Sequence, residues 1–192
     1  MTTFVLATHN AHKVVELRRI LGDLLGPHEL IAYDGPEPIE DGDTFEANAL
    51  IKARAAHAHT GLPALADDSG ISVDALGGAP GIHSARYAGT RDDSDNLARL
   101  LTNLEEVDDR AAQFVCAAAL VDEGVEYVDL GVWPGSVLPA AAGEGGFGYD
   151  PIFLPQGETR SAAQLSPAEK DAASHRARAF IALTAELRRR YG

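Results

Sequence analysis

Leu65-Ala66-Asp67-Asp68-Ser69-Gly70 is the stretch around which the chain is organised: a short apolar run stops, and two adjacent carboxylates, a hydroxyl and a glycine follow. Two readings are open. One is a strand end that presents acid groups to a cleft; the other is a solvated turn, because Asp, Ser and Gly are the commonest turn residues. An Asp-Asp pair is costly to hold together, since like charges close by raise each other's pKa unless cations or hydrogen-bond donors offset them. The segments on either side decide between the readings.

Upstream, Thr3-Phe4-Val5-Leu6-Ala7-Thr8 is short, apolar and β-branched, the pattern of a buried strand. His9-Asn10-Ala11-His12-Lys13 comes next, then Val14, Leu17, Ile20, Leu21 and Leu24 at helical spacing, with Gly26-Pro27 as the stop. This predicts a strand, a tight turn and a helix start. Backbone N–H groups at such a start bind anions, and Thr8, Asn10 and Lys13 add a hydroxyl, an amide and an ammonium. An ordinary helix capped by Asn10 is the competing reading. The Gly-x-x-x-x-Gly-Lys-Ser/Thr pattern is missing, so the turn is not a P-loop.

Residues 34–43 form an acidic, Gly/Pro-rich connection, and Thr44 is expected to cap a helix over 45–59, with Phe45, Ala49, Ala53 and Ala56 packed and Gly61 beyond its end. Asn48 and Lys52 are four apart, which makes them neighbours on one exposed face. Glu40 is a candidate partner for Asp67 and Asp68 in holding a hard cation, because Mg²⁺ takes one or two carboxylates plus phosphates and water.

Downstream, Gly77-Gly78-Ala79-Pro80-Gly81 and Ser84-Ala85-Arg86-Tyr87 read mostly as loop. Ser94 is expected to cap a helix with Leu97, Leu100, Leu101 and Leu104 on one face. Strands over 112–121 and 125–132 follow, joined by Asp122-Glu123-Gly124 as a hairpin turn, with Trp133 assigned to packing. Gly143-Glu144-Gly145-Gly146-Phe147-Gly148 matches a dinucleotide fingerprint only in form, because Tyr149-Asp150-Pro151-Ile152-Phe153 cannot open the helix that fingerprint requires. What remains is pliable backbone bearing Phe147 and Tyr149, suited to approach a flat ligand and stack on it. Ser166-Pro167-Ala168-Glu169 is a capping box with Lys170 after it. Ser174-His175-Arg176 starts a last helix whose Ala177, Phe180, Ile181, Thr184 and Leu187 are expected to pack inward, and Arg188-Arg189-Arg190 suit its C-terminal dipole.

A length of 192 residues suits a single domain, residues 1–192, with a real core, split into two lobes by a cleft. The net charge of -13 argues against a nucleic-acid partner, whose phosphates would be repelled over most of the surface. A small anion is still allowed where a few cations are focused. The three lysines, Lys13, Lys52 and Lys170, each fall in a segment already singled out. No apolar run is long enough for a membrane span and the start shows no leader pattern, so no membrane partner and a cytoplasmic location are expected. Cys116 lies in an apolar run and reads as a buried thiol rather than a nucleophile. His57 and His59, two apart on a helix, face different ways, and neither a His-Glu-x-x-His nor a Cys-x-x-Cys motif occurs. A triad of Ser69, His175 and an aspartate has no Gly-x-Ser-x-Gly elbow to support it.

Taken in order, Thr8 to Lys13, Glu40-Asp41-Gly42-Asp43-Thr44-Phe45-Glu46-Ala47-Asn48-Ala49 with Lys52-Ala53, Ala66-Asp67-Asp68-Ser69-Gly70 with Pro80-Gly81 and Ser84-Ala85-Arg86-Tyr87, Gly146-Phe147-Gly148-Tyr149-Asp150-Pro151, and Ser174-His175-Arg176 resemble the inosine triphosphate pyrophosphatases, the Ham1-like enzymes of non-canonical purine nucleotides. The resemblance implies an elongated α/β fold with a central mixed sheet flanked by helices, two lobes around a cleft, and a homodimer. It also implies Mg²⁺-dependent conversion of ITP, dITP or XTP to the monophosphate and pyrophosphate, which keeps these nucleotides out of DNA and RNA.

Carried over by position, Thr8, His9, Asn10, Ala11, His12 and Lys13 would hold the phosphates, with Lys52 as a second cation. Asp68 would be the general base, with Asp68 and Glu40 near Mg²⁺ and Asp67 in support. Ser69 would touch the substrate and Phe147 would stack on the purine. Gly148, Tyr149, Asp150, Lys170, His175 and Arg176 would complete the base and sugar site. His9 departs from the glycine of many relatives. The rival readings are a pyrophosphatase of other base specificity and a nucleotide-binding regulator without turnover.

Overall fold

The computed structural model describes residues 1–22 and 24–192. Strand β1 (Thr3–Leu6) is followed by helix α1 (Ala11–Leu21) and strand β2 (Glu29–Ala32), then by α2 (Phe45–Thr60) and β3 (Ala64–Val73). β1 pairs in parallel with β2, Phe4 opposite Leu30, and with β3, Leu6 opposite Leu65. Parallel neighbours need a crossover connection, and α1 and α2 supply it. Helix α3 (Asp93–Asn103) precedes β4 (Ala111–Asp122) and β5 (Val125–Val137), which sit side by side in the sheet around the turn at Glu123 and Gly124. Strand β6 (Phe153–Pro155) lies antiparallel to β5, and α4 (Pro167–Ala173) and α5 (His175–Tyr191) complete the chain. The order across this mixed sheet is β2-β1-β3-β4-β5-β6.

The chain forms two compact units. The first comprises residues 1–68, 116–131 and 175–192. Its two cores follow from the period-2 alternation of its strands. Phe4 and Leu6 of β1, Leu65 of β3 and Cys116, Ala118 and Leu120 of β4 pack with Leu17, Ile20 and Leu21 of α1 and with Ala177, Phe180 and Leu183 of α5. The intervening residues Val5 and Ala7, Ala64 and Ala66, and Ala117, Ala119 and Val121 pack with Ala49, Ala53 and Ala56 of α2. A sheet with helices on both faces is the result. The small side chains of α2 bring its backbone close to the strands, and Thr44 caps it by accepting from the Ala47 N–H.

The second unit, residues 69–115 and 132–174, has its own core of Ile71, Val73, Leu100, Leu104, Phe114, Trp133, Tyr149, Ile152 and Phe153. Trp133 packs its ring 5.4 Å from that of Phe153, so it belongs to the interior as its sequence position suggests. Gly81–Arg86 forms a 3₁₀ segment rather than open loop, and its buried Ser84 accepts from the Ile71 N–H and donates to the Gly81 carbonyl. Ser84 Oγ and the Gly81 carbonyl lie where a Cβ on Gly70 would be, so that approach requires glycine.

Several expectations change. The strand does not stop at the acid pair: β3 runs through Asp67, Asp68, Ser69 and Gly70 to Val73. Asp is a poor strand former, and here tertiary partners override its local preference. Helix α1 ends at Leu21, before Leu24. Asn48 is buried and Lys52 nearly so, not exposed; Asn48 accepts from the Gly42 N–H and so ties the acidic connection to α2. Asp92, not Ser94, caps α3, accepting from the Ser94 and Asp95 N–H groups. β5 continues past Trp133 through Pro134, which keeps its place by accepting from the Gln156 N–H. Ile181 is 49% exposed, while Ala177, Phe180, Thr184 and Leu187 are buried as expected.

Gly131 of β5 lies against the start of α5 so closely that a Cβ would collide with the His175 carbonyl and Ala179 N–H. Backbone cannot step aside as a flexible side chain can. Gly131→Ala is therefore expected to lower unfolding free energy by about 1–3 kcal/mol, read from the urea midpoint at unchanged slope.

Candidate functional site

The site of the first unit is built on β3. Because adjacent strand residues point to opposite faces, Asp67 joins the face of Leu65, toward α1 and α5, and Asp68 joins the face of Ala66, toward α2. Each carboxylate then meets its own cations. Asp67 Oδ2 accepts from Lys13 Nζ at 2.8 Å and Arg176 Nε at 3.2 Å, with Cys116 Sγ at 3.9 Å. Asp68 Oδ1 accepts from Lys52 Nζ at 2.9 Å, and the same ammonium reaches Glu40 Oε2 at 3.1 Å.

These surroundings push the two acids apart. Burial alone would raise Asp67, but Lys13, Arg176 and Lys52 outweigh it and hold the carboxyl well below the usual carboxylate range. Asp68 moves the other way: burial raises it, and Lys52 and Lys13 only partly oppose the rise. Lys52 is itself raised, since the attraction of Asp68, Asp67 and Glu40 exceeds the penalty of its burial, so it stays an ammonium. The two neighbours thus shift in opposite directions, Asp67 down and Asp68 up. Burial, with Asp67 beside it, pushes the Cys116 thiol up, which keeps it protonated and agrees with a structural thiol.

At the start of α1, Asn10 Oδ1 accepts from the N–H groups of His12 and Lys13, and Thr8 Oγ1 accepts from the Asn10 N–H. The capped-helix reading of this segment is thus realised. The same turn aims the Lys13 ammonium at Asp67, so capping and cation placement coexist. Ala11 and His12 are exposed in the first turn. His9 is exposed too, with Nε2 3.0 Å from the Gly35 carbonyl oxygen and its ring 5.6 Å from that of Tyr33.

His175 and Arg176 open α5 and are both buried. Arg176 bridges Asp67 and the carboxylate of Glu16 through a very close contact with Glu16 Oε2. Burial disfavours its charge, but Asp67 and Glu16 outweigh that and push the guanidinium further up. The sequence reading passes over Glu16, although a signal was there: Glu16 lies three residues after Lys13 and four before Ile20, on the packed face of α1.

The second unit gathers a separate group. Lys170 Nζ donates to Asp150 Oδ2 at 2.6 Å, both side chains being buried, and lies 4.8 Å from the centre of the half-buried Phe147 ring. The Phe147 N–H donates to Asp150 Oδ2 at 2.9 Å, and the Gly148 N–H donates to Asp93 Oδ2 at 2.8 Å. Tyr149 is buried, its hydroxyl donating to the Ser84 carbonyl at 2.8 Å, and burial pushes the phenol up. That ring is therefore part of the core rather than a second stacking surface. Ser69, half-buried in β3, is the first residue of this unit. Asp93 is a further residue that the sequence reading misses; it lies in an exposed polar run with nothing to mark it.

Among the described residues no group of three or more His, Cys, Asp or Glu side chains forms a metal cage. A hard cation asks for less. Asp68 Oδ2 is buried without a hydrogen-bond partner among the described residues, while Asp68 Oδ1 and Glu40 Oε2 converge on one ammonium. All-oxygen donors with one unsatisfied buried carboxylate oxygen fit Mg²⁺, which completes its shell with water and phosphate.

The sequence model of the Ham1 family matches residues 4–186. A protein of Leifsonia xyli subsp. xyli named dITP/XTP pyrophosphatase is 56% identical over 98% of this chain and 96% of its own length. One of Pseudomonas syringae pv. tomato with the same name is 48% identical over 97% and 98%. Among solved structures, a Ham1 protein from Coxiella burnetii superposes with a TM-score of 0.88 at 42% identity, covering 98% of this chain and 100% of that one. The Ham1 protein of Staphylococcus aureus gives 0.87 at 38%, covering 97% and 98%. Matched from Phe4 to Glu186 and in fold as well as sequence, this chain belongs to the Ham1 family.

Proposed function

We propose that this protein is a nucleoside triphosphate pyrophosphatase that hydrolyses dITP, XTP and ITP to the nucleoside monophosphate and pyrophosphate. The names of its close relatives support the substrate class. The observation that carries the chemistry is the division of the acid pair: Asp67 locked as an anion by Lys13 and Arg176, Asp68 raised and holding one unsatisfied oxygen. A regulator without turnover would need the cations but not that oxygen.

In this reading Asp68 is the general base. Its carboxylate takes a proton from water, the water oxygen attacks the α-phosphorus in line, and the bond from that phosphorus to the bridging oxygen breaks to release pyrophosphate. Mg²⁺, held by Asp68 and Glu40, would supply charge stabilisation at the phosphates. Lys52 stays charged beside Asp68 and Glu40 and, with Lys13, offsets the charge of the leaving group. Thr8, Asn10, Ala11 and His12 line the helix start that receives phosphate, with His9 beside them. Asp67, Arg176 and Glu16 set the position of Lys13. Ser69, Phe147, Gly148, Asp150 and Lys170 of the second unit would form the nucleoside side, with Phe147 stacking on the base; Tyr149 backs that loop from the core, and His175 is buried at the start of α5 in the first unit. A homodimer and a cytoplasmic location belong to the same proposal; no helix among the described residues is long and apolar enough to cross a membrane.

Incubation with dITP, ITP, XTP, ATP and GTP in Mg²⁺, with pyrophosphate and orthophosphate assayed separately, tests the reading. Pyrophosphate from the first three is expected; orthophosphate as first product, or equal rates on ATP, overturns it. Asp68→Asn is expected to lower kcat by about 10²–10⁴-fold, the usual weight of a general base, with folding intact by circular dichroism. Chelation should abolish turnover and added Mg²⁺ restore it, while Zn²⁺ should not. Arg176→Met leaves Asp67 and Glu16 buried without their shared cation and is expected to cost about 3–5 kcal/mol of stability in urea titration.

A further inference from the structure

The loop that carries Phe147 is tied down at its two ends. The Gly145 N–H donates to the Ala163 carbonyl at 3.0 Å, and the Ala142 N–H donates to the Pro151 carbonyl at 2.8 Å. Its apex is held by two further bonds from consecutive amides, each to a carboxylate. The Phe147 N–H meets Asp150 Oδ2, three residues away, and the Gly148 N–H meets Asp93 Oδ2, 55 residues away at the first position of α3. The second bond ties the apex to α3, while Lys170 of α4 lies over the Phe147 ring and holds Asp150.

Asp93 is well placed to serve this purpose alone. Asp92 already caps α3 through the Ser94 and Asp95 N–H groups, so Asp93 is not needed for the cap. Its carboxylate lies at a helix N-terminus, where negative charge is favoured. The N–H it receives belongs to a glycine with φ of +60, and a Cβ at that position would meet nothing within 4 Å. Backbone conformation rather than crowding therefore requires the glycine, and this left-handed turn aims the amide at Asp93. A carboxylate accepting from a backbone N–H makes a stronger bond than a neutral acceptor does. The residue before that glycine is Phe147, so fixing the Gly148 amide fixes the peptide plane that follows Phe147 and narrows the directions in which its side chain projects.

We propose that Asp93 is a positioning residue for the nucleobase: its carboxylate latches the Gly148 amide and holds the Phe147 ring in the orientation on which a purine stacks. The proposal rests on the reading of Phe147 given above. Asp93 touches neither substrate nor reacting atoms, so its effect falls on KM rather than on the chemical step.

The test uses Asp93→Ala and Asp93→Asn in the full chain. Asp93→Ala is expected to raise KM for dITP roughly fivefold with kcat within about twofold of the parent, because a bond that orders the bound state is lost and the base is not. Asp93→Asn keeps an acceptor oxygen and is expected to recover most of that loss. Amide exchange at Gly148, followed by NMR without nucleotide, should quicken in Asp93→Ala and return toward the parent rate in Asp93→Asn. Unchanged exchange at Gly148, an unchanged KM, or equal KM defects in the two variants would each overturn the latch. A parent protein inactive on dITP, ITP and XTP would overturn the proposed function instead, and the exchange measurement would still decide whether the latch exists.

Discussion

Two neighbouring residues of a β-strand cannot face the same way, and the polar architecture of the first unit depends on that constraint at Asp67 and Asp68. Placed on a turn, the two carboxylates would share one space and raise each other's pKa. Held within β3, they lie on opposite sides of the sheet. Each reaches a different helix layer, Asp67 toward Lys13 and Arg176, Asp68 toward Lys52. The alternation that sorts Leu65 from Ala66 into separate cores also sorts the charges.

Burying charge is expensive unless it is paired, and the face of Asp67 shows how the expense is met. Two acids, Asp67 and Glu16, and two cations, Lys13 and Arg176, are brought together by β3, α1 and α5 under a layer of Leu, Phe and Ala. With its carboxylate fixed as an anion, Asp67 has little left to titrate. Asp68 differs, since its second oxygen has no hydrogen-bond partner among the described residues. In a chain with three lysines, two of them stand on this one acid pair.

The second unit solves a different problem with similar means. A loop rich in glycine gains freedom to approach a ligand and loses order in proportion. Carboxylates restore the order: Asp150 takes the Phe147 amide while holding Lys170, and Asp93 takes the Gly148 amide. Tyr149, which on sequence grounds reads as a partner ring to Phe147, instead turns inward to the Ser84 carbonyl and becomes core. Phe147, two residues before it, stays half-buried with Lys170 over its ring.

How much was legible in the sequence depends on the range of the interaction concerned. Local rules determined the strand at Phe4 and Val5, the caps at Asn10, Thr44 and Ser166, the end of α2 at Gly61 and the packing of Ala49, Ala53 and Ala56, because each follows from spacing or from one side chain bonding a nearby amide. Tertiary structure alone decided that β3 runs on through the acid pair, that Asn48 faces inward, that Glu16 shares Arg176 with Asp67, and that Asp93 reaches Gly148. Those outcomes depend on partners far away in the chain, in the Glu16–Arg176 pair 160 residues apart. A carboxylate's pKa and exposure are set by what surrounds it, and a linear sequence names the group without naming its surroundings.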